Sequence, residues 1–365
     1  MKLSINKEQI ITELQSLAAV ADKKQTLPIL SNILIRADEE KITFKSTDLE
    51  VELEFVISNN NEAPGEITVP AKKIADIIKE LPDGQINFEL NDDATKLVIK
   101  SSSGRYNLST ISASDFPDFD TVKSDQTYKI PSESFIALIQ KTSFAMANQD
   151  WRHYLNGCFF HKSLNDVVMV ATDAHRLAVY TLPLQGEEEF SGIIPRKTIM
   201  ELLKILPKSN EEISFYVNAN NIVFMSKNFT FKSKLLEGNY PNHNQLIPTG
   251  QGLEITVNRK QLLDTLSRVS VLSSEKFRGV KLNTKGESLE VSAHNPEQES
   301  AEELVPLDKW VEGFNIAFNV NYLREVLASI EDESVSLVSY GSEKSAIIKS
   351  SDPDQILVLM PLLLP

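Results

Sequence analysis

The residues best suited to chemistry lie in one short segment, Thr172–Leu177, which reads Thr-Asp-Ala-His-Arg-Leu. Asp173 and His175 are residue types that can serve as a general base and its orienting partner, so the segment raises the hypothesis of a hydrolase. No activated nucleophile is placed beside them by a motif, and Asp173 has a counterpart, Asp48, in the earlier segment Ser-Thr-Asp. The repetition favours a turn-forming role for Asp173.

Other catalytic and cofactor motifs are missing from the sequence. It has no phosphate loop, no dinucleotide fingerprint, no zinc-protease motif and no nucleophile elbow. Five histidines without ligand spacing argue against a metal site. The single cysteine, Cys158, lies in the apolar run Cys-Phe-Phe and is predicted to be a buried structural thiol, in keeping with a reducing compartment. The sequence therefore predicts a protein that is not an enzyme and needs no cofactor.

The elements that must position Thr172–Leu177 are six copies of a short amphipathic helix. Pro195–Leu206 is the clearest copy, with apolar residues four, eight and eleven positions after the proline, on one helix face. The copies begin at Asn6, Pro70, Pro131, Pro195, Asn258 and Asn319. The steps between them are 61 to 64 residues, and a period this constant indicates a repeated architectural unit.

Strand patterns follow each helix copy. In the first repeat, Leu49–Phe55 alternates apolar residues with glutamates, which predicts a half-buried antiparallel strand. A helix followed by strands occurs six times, and these six units group into three consecutive pairs. The predicted fold is therefore α+β with three domains, each holding two helix-plus-meander halves. We place the domains at residues 1–125, 126–250 and 251–365.

Charge is distributed unevenly between the helices and the rest of the chain. The net charge is −14 and the pI about 5.0, which taken alone argues against a nucleic-acid binder. The six twelve-residue helical windows nevertheless hold twelve Lys and Arg against eight Asp and Glu, so the remaining residues carry −18. If the helices line one face, that face is basic enough to hold a phosphate backbone. Solvated polar helix faces are the alternative.

The termini bear on localisation. The N-terminal segment has no signal-peptide hydrophobic region, and the longest apolar run, Ile356–Pro365, is too short to span a bilayer. These features predict a soluble, cytoplasmic protein with no membrane partner.

With these segments in view, the chain resembles the bacterial DNA polymerase III β subunit family, the sliding clamps. The resemblance covers the whole length and is carried by Leu27–Leu30, Thr47–Glu50, Val69–Ala71, Asp115–Pro117, Tyr154–Gly157, 171–179, 275–280, 294–299 and Met360-Pro361. It implies three clamp domains, each with two helices on one face and antiparallel β-sheets outside, that form half of a closed ring. Two chains would close head to tail as a homodimer around double-stranded DNA of any sequence.

The resemblance also implies partners and sites. The family has no catalytic activity and tethers the replicative polymerase, the clamp loader and other clamp-binding proteins. Its partner-peptide cleft maps onto Leu155, Thr172, His175, Arg176, Leu177, Pro241, Leu246, Asn319, Tyr322, Val358, Met360, Pro361 and Leu362. Its DNA contacts map onto Lys24 and Gln149, with Lys79, Arg152, Arg196 and Lys197 as companions. Ala174 departs from the family, which often has glycine at that position.

Ring closure requires two complementary edges. The first-domain edge is assigned to Lys72, Lys73, Arg105, Tyr106 and Leu108, and the third-domain edge to Val271, Leu272, Glu297, Glu299, Glu302 and Glu303. Surface ion pairs contribute roughly 0–1 kcal/mol each, so the apolar contact is expected to dominate and the charges to orient the edges. A solvated acidic loop is the other interpretation of the glutamates.

Three functions thus stand as hypotheses at the level of sequence. The first is a processivity clamp. The second is a hydrolase that uses Asp173 and His175. The third is a scaffold with no nucleic-acid role.

Overall fold

The computed structural model describes residues 1–21, 27–102, 104–119, 126–218, 220–276, 278–309 and 311–363. The helices in these ranges are α1 Ile11–Val20, α2 Ala71–Glu80, α3 Ser132–Thr142, α4 Arg196–Ile205, α5 Arg259–Val269 and α6 Val320–Ala328. Helices α2 to α6 each begin one residue after the predicted proline or asparagine, and α1 follows a 3₁₀ turn over Lys7–Gln9. Within the described ranges, no helix is long and apolar enough to cross a membrane.

The predicted helix face is the buried one. The residues at the fourth and eleventh positions are buried in all six copies, including Thr142, whose hydroxyl donates to Leu138 O at 2.6 Å. The residue at the eighth position is buried in five copies. The exception is Leu203 of α4, which is half-buried because Leu202 turns into the core instead. The period therefore located the helices and most of their core residues.

Twenty-four strands lie in the described residues. The first twelve are β1 Lys2–Asn6, β2 Asn32–Ala37, β3 Lys41–Thr47, β4 Val51–Ser58, β5 Gly65–Pro70, β6 Gln85–Leu90, β7 Lys96–Lys100, β8 Arg105–Ser109, β9 Tyr128–Pro131, β10 Gly157–Lys162, β11 Asp166–Thr172 and β12 Arg176–Pro183. The others are β13 Phe190–Pro195, β14 Glu212–Val217, β15 Asn221–Met225, β16 Phe229–Lys234, β17 Leu253–Asn258, β18 Gly279–Lys285, β19 Ser288–His294, β20 Ser300–Lys309, β21 Asn315–Asn319, β22 Ser334–Ser339, β23 Ala346–Lys349 and β24 Gln355–Leu359.

Residues 1–133 and 197–235 form one compact unit. It contains a four-stranded sheet in the order β1-β6-β7-β8 and an eight-stranded sheet in the order β5-β2-β3-β4-β16-β15-β14-β9. All paired strands are antiparallel, and α1 packs on α2 and on β3 and β4. Strand β16 comes from a distant part of the sequence, so this unit is not a single run of chain.

Residues 134–196 and 236–365 form the other compact unit. Its twelve-stranded sheet has the order β13-β10-β11-β12-β24-β23-β22-β17-β20-β19-β18-β21. The terminal strand β24 pairs with β12, which brings the end of the chain beside Thr172–Leu177. Because both units contain part of the middle of the chain, the domain boundaries near 125 and 250 remain a prediction.

Strand β4 differs in one detail from the prediction made from its sequence pattern. The alternation predicted that the glutamates face solvent, yet Glu52 is fully buried. Lys232 Nζ lies 2.8 Å and Lys45 Nζ 3.7 Å from its carboxylate. A carboxylate is buried only where such partners compensate its lost hydration, so β4 is covered on both faces here.

Candidate functional site

The segment Thr172–Arg176 is a tight turn built on its own side chains. The Thr172 hydroxyl donates to Arg176 O at 2.6 Å and accepts from Ala174 N at 3.1 Å. Asp173 Oδ1 accepts from the backbone N–H groups of His175 and Arg176 at 2.9 and 3.1 Å. These bonds hold the carboxylate as a turn-former, which confirms the structural role predicted for Asp173.

The turn has a copy at Thr47–Val51. Thr47 donates to Val51 O at 2.8 Å and accepts from Leu49 N at 3.0 Å, and Asp48 Oδ1 accepts from Glu50 N and Val51 N. The third residue of each turn, Leu49 or Ala174, has φ of +74°. This left-handed region favours glycine, which explains why glycine suits the position that Ala174 occupies.

Arg176 joins the turn to two helices. Its guanidinium donates to Glu325 Oε2 on α6 and to Phe144 O beyond α3, both at 2.6 Å. It also lies over the Tyr322 ring at 4.6 Å, and His175 stacks on the same ring with centroids 5.6 Å apart. Tyr322, predicted from the resemblance as a cleft residue, therefore supports two cleft side chains from behind.

An apolar cleft with a volume of about 290 Å³ opens beside this turn. Its lining residues are Arg152, Tyr154, Leu155, Thr172, Ala174, His175, Arg176, Leu177, Pro241, Leu246, Ser345, Val358 and Met360. Leu177 on β12 and Val358 on β24 are directly paired and pack with Val170 and Val179. A small cavity with apolar walls and a few polar groups is suited to the side chains of a short extended peptide.

Most of the residues predicted for the cleft are brought together. Those that line it are Leu155, Thr172, His175, Arg176, Leu177, Pro241, Leu246, Val358 and Met360. The other four, Asn319, Tyr322, Pro361 and Leu362, lie outside the lining. Asn319 caps α6 by accepting from Asn321 N, and Tyr322 packs behind His175. Pro361 lies between Met360, whose N–H donates to His175 O, and Leu362, whose N–H donates to Ala317 O.

Four lining residues were not assigned to the cleft by sequence reasoning. Tyr154 and Ala174 lie next to residues that were, so their position was a usable signal. Arg152 was assigned to DNA. Ser345 lies between β22 and β23 and carries no sequence signal that could have identified it.

One wall of the cleft is held by aromatic stacking. Tyr240, next to Pro241, stacks on Phe159 with centroids 5.1 Å apart. It also packs against the group formed by Val170, Leu177, Val179 and Val358. Burial raises the pKa of its hydroxyl, which donates to Val170 O at 3.4 Å. Burial and the neighbouring His161 lower the pKa of His243 in the same segment. Both shifts favour the uncharged forms of Tyr240 and His243.

Comparison with known proteins gives matches over nearly the whole chain. Residues 1–120, 129–242 and 244–362 match the N-terminal, central and C-terminal domains of the DNA polymerase III beta subunit. The chain is 37% identical to the Beta sliding clamp of Pseudomonas putida and 34% to that of Escherichia coli K12, over 99% of this chain and 100% of each relative.

Solved structures agree with this match. A sliding clamp (DNA polymerase III subunit beta) from Pseudomonas aeruginosa, bound to griselimycin, superposes with a TM-score of 0.95 at 37% identity. A DNA polymerase sliding clamp from Bacillus subtilis gives 0.93 at 28% identity, and both comparisons cover 100% of each chain. The chain belongs to the DNA polymerase III beta subunit family. It has three clamp domains and functions as a DNA polymerase processivity factor.

The residues assigned to DNA fall into two groups in this clamp. Lys79 and Gln149 are exposed, whereas Lys197 donates to Asp48 Oδ2 at 2.6 Å and Arg152 pairs with Asp150 at 2.9 Å. Arg196 is half-buried and donates to Met146 O at 3.4 Å, and Lys24 lies outside the described residues. The positive charges of Lys197 and Arg152 are thus balanced within the chain.

The residues assigned to subunit contact are mostly exposed. Lys72 and Lys73 project from the first turn of α2, and Arg105 and Tyr106 lie on the edge strand β8, while Leu108 of the same strand is buried. In the other unit, Val271 is 77% exposed, Leu272 is half-buried, and Glu297, Glu299 and Glu302 are exposed.

Two further residues alter the assignment of the acidic edge. Glu303 receives hydrogen bonds from the Arg268 guanidinium at 2.6 to 3.1 Å, which lower the pKa of that carboxyl. Its charge is therefore already paired within the chain. Leu304, which was not assigned, is 59% exposed on β20 and adds apolar surface beside Glu302 and Glu303.

Proposed function

We propose that two copies of this clamp close head to tail into a ring on double-stranded DNA, and that the cleft beside Thr172–Leu177 captures a peptide segment of each partner. The observation that carries the proposal is the cleft itself, because an apolar cavity with a few polar groups is suited to binding a short peptide segment. The replicative polymerase, the clamp loader and other clamp-binding proteins are the partners, and the site of action is the cytoplasm.

The geometry of the turn supports a binding role over hydrolysis. A general base needs a free lone pair directed at the proton that it removes. Asp173 Oδ1 accepts two backbone N–H groups, and Oδ2 lies 3.3 Å from Arg176 Nε. His175 packs flat on Tyr322. We therefore propose that the protein is not an enzyme.

Open strand edges support ring closure. Strand β8 is the last strand of its sheet, and β20 pairs with β17 only through Leu307 and Lys309. The first half of β20 therefore has one unpaired edge among the described strands, and such edges are templates for pairing with another chain. Basic Arg105 on β8 and acidic Glu302 on β20 give the two edges opposite charge. We assign the heterologous joint to these edges.

The residues assigned to DNA are proposed to contact it to different degrees. Lys24, Lys79 and Gln149 are the main contacts, with Arg196, Lys197 and Arg152 as secondary ones because carboxylates or main-chain groups already engage them. The contacts are to phosphates, since a ring that slides cannot depend on base sequence. Substituting Lys24 and Gln149 together should weaken loading and reduce its salt dependence.

Retention on circular DNA tests the ring. The clamp is loaded by its ATP-dependent loader onto a nicked circular plasmid and separated by gel filtration. We expect it to co-elute with the circle and to be lost when the plasmid is linearised, because a ring leaves DNA only over an end. Retention that is unchanged by linearisation would contradict the ring.

A further inference from the structure

Trp151 is the most exposed large apolar side chain among the described residues, with 82% of its surface open to solvent. Arg152, Tyr154 and Leu155 follow it closely in the chain and all line the cleft. A single exposed apolar residue on a loose loop needs no explanation. A large aromatic ring beside a binding cleft is different, because Trp, Tyr and Arg are the residue types that anchor protein interfaces most strongly.

The turn that carries Trp151 is rigidly built. Asp150 N donates to Asn156 Oδ1 at 3.0 Å, and Asn156 Nδ2 donates back to Asp150 O at 2.8 Å. The Asp150 carboxylate accepts from the backbone and guanidinium of Arg152 at 2.8 to 3.0 Å, and Gln149 adopts φ of +58°. The Arg152 guanidinium lies 5.7 Å from the centroid of the indole. A turn whose backbone is held in this way loses little freedom when a partner covers the indole.

We propose that Trp151 is a second contact for the segment bound in the cleft. An apolar or aromatic side chain of the partner, next to the residues that fill the cleft, packs on the indole beside Arg152. This inference rests on the proposed function of the cleft and extends it. It makes affinity depend on the residues that flank the cleft-filling part of the segment.

A protein segment fits the face of the Trp151 indole better than DNA does. Hydrogen bonds from Arg152 hold the pKa of Asp150 at about 2, so this carboxylate balances the Arg152 guanidinium beside the ring at neutral pH. In this turn, only the polar side chains of Gln149 and Arg152 are proposed to reach phosphates, and a phosphate contact involves no apolar ring. The bases of duplex DNA are stacked on one another, so the indole has no base face to cover, in contrast to single strands.

Two labelled peptides separate the cleft from the Trp151 contact. One contains only the cleft-filling residues of a replicative polymerase's clamp-binding segment, and the other continues into its natural flanking residues at both ends. We expect Trp151→Ala to weaken the long peptide by about tenfold in fluorescence polarisation and to leave the short peptide unchanged. Trp151→Phe should retain most of the affinity. Leu164→Ala is the matched control, because Leu164 is also exposed (54%) but lies outside the cleft lining. Undiminished affinity of Trp151→Ala for the long peptide would overturn the proposal.

Intrinsic fluorescence gives an independent measurement. The chain has two tryptophans, so Trp310→Phe leaves Trp151 as the only one. In that variant we expect the emission to shift to shorter wavelength on adding the long peptide, and not on adding the short peptide or duplex DNA. An unchanged emission with the long peptide, or a shift caused by DNA alone, would contradict the contact.

One variant distinguishes failure of this inference from failure of the cleft. Met360 lines the cleft and is 49% exposed, so Met360→Asp should fold normally and weaken both peptides. If both peptides bind this variant as they bind the wild type, the cleft assignment is wrong. If Met360→Asp weakens both peptides but Trp151→Ala does not weaken the long peptide more than the short one, the Trp151 contact alone is wrong.

Discussion

Asp150 is the residue that determines the shape of the turn between α3 and β10. Its carboxylate accepts hydrogen bonds from Arg152, its backbone is bonded to the Asn156 side chain, and the same turn presents Trp151 and leads to Leu155. A charged carboxylate makes stronger hydrogen bonds than a neutral amide. The turn therefore depends on Asp150 being ionised.

The first prediction concerns this dependence on pH. The pKa of Asp150 is about 2 in the folded chain, below its ordinary value of 3.8, so ionised Asp150 stabilises the fold above about pH 4 and stops doing so as the pH falls through 2. We expect wild type and Asp150→Asn to differ in urea midpoint by a constant amount above pH 4, and to converge below it. Urea titrations at several pH values measure the difference. A gap that stays constant down to pH 2 would show that the charge is not responsible.

At the scale of strands, the two copies of the turn are followed by different pairs of side chains. Leu177 on β12 pairs with Val358 on β24, whereas the corresponding pair in the other unit, by the shared turn and strand order, is Glu52 on β4 with Lys232 on β16. One pair forms an apolar cleft floor and the other a buried ion pair. The same backbone arrangement thus carries an apolar pair after one turn and an ion pair after the other.

The second prediction exchanges these pairs. Leu177→Glu alone buries a charge without a partner and should destabilise the clamp by roughly 3 kcal/mol or more. Adding Val358→Lys supplies the partner in the register that Glu52 and Lys232 use, so the double variant should recover much of this stability while losing peptide binding. Thermal melts and fluorescence polarisation measure the two effects. A double variant that is no more stable than the single one would refute the correspondence.

The third prediction concerns the tail after β24. Deleting Met360–Pro365 leaves β24 intact but removes the Met360 wall and its backbone bond to His175 O. We expect the deletion to abolish polymerase and loader binding without dissociating the dimer. The matched control removes only Leu364 and Pro365 and should bind normally. Titration with a labelled clamp-binding peptide decides the matter, and full affinity in the longer deletion would exclude the tail from the site.

At the scale of the whole molecule, the proposed ring closes by matching two different edges. The predicted glutamates supply only part of the match, since Glu303 is already paired with Arg268. Exposed apolar side chains at Val271 and Leu304 gain free energy on burial that surface ion pairs do not provide. Subunit affinity should therefore follow apolar contact more than charge.

The fourth prediction tests this order of importance. Val271→Ala with Leu272→Ala should yield monomers, and Leu304→Ala should add to the effect. Reversing Glu299 and Glu303 to lysine should only weaken the dimer and change its response to salt. Analytical ultracentrifugation measures both. A fully dimeric Val271/Leu272 double variant would show that the interface lies elsewhere.

The sequence by itself determined the repeat, the six helices and, apart from Leu203, the buried positions that the spacing marks, because a fixed apolar spacing leaves one helix face for the core. It also indicated the turn role of Asp173, since the same residues recur at Asp48, and the resemblance indicated most of the cleft. Tertiary structure decided the rest. The burial of Glu52 beside Lys232, the pairing of Lys197 with Asp48, and the place of Ser345 in the cleft all arise from contacts between distant segments. Local periodicity carries no information about such contacts, because the contacting residues are far apart in the sequence and meet only when the chain folds.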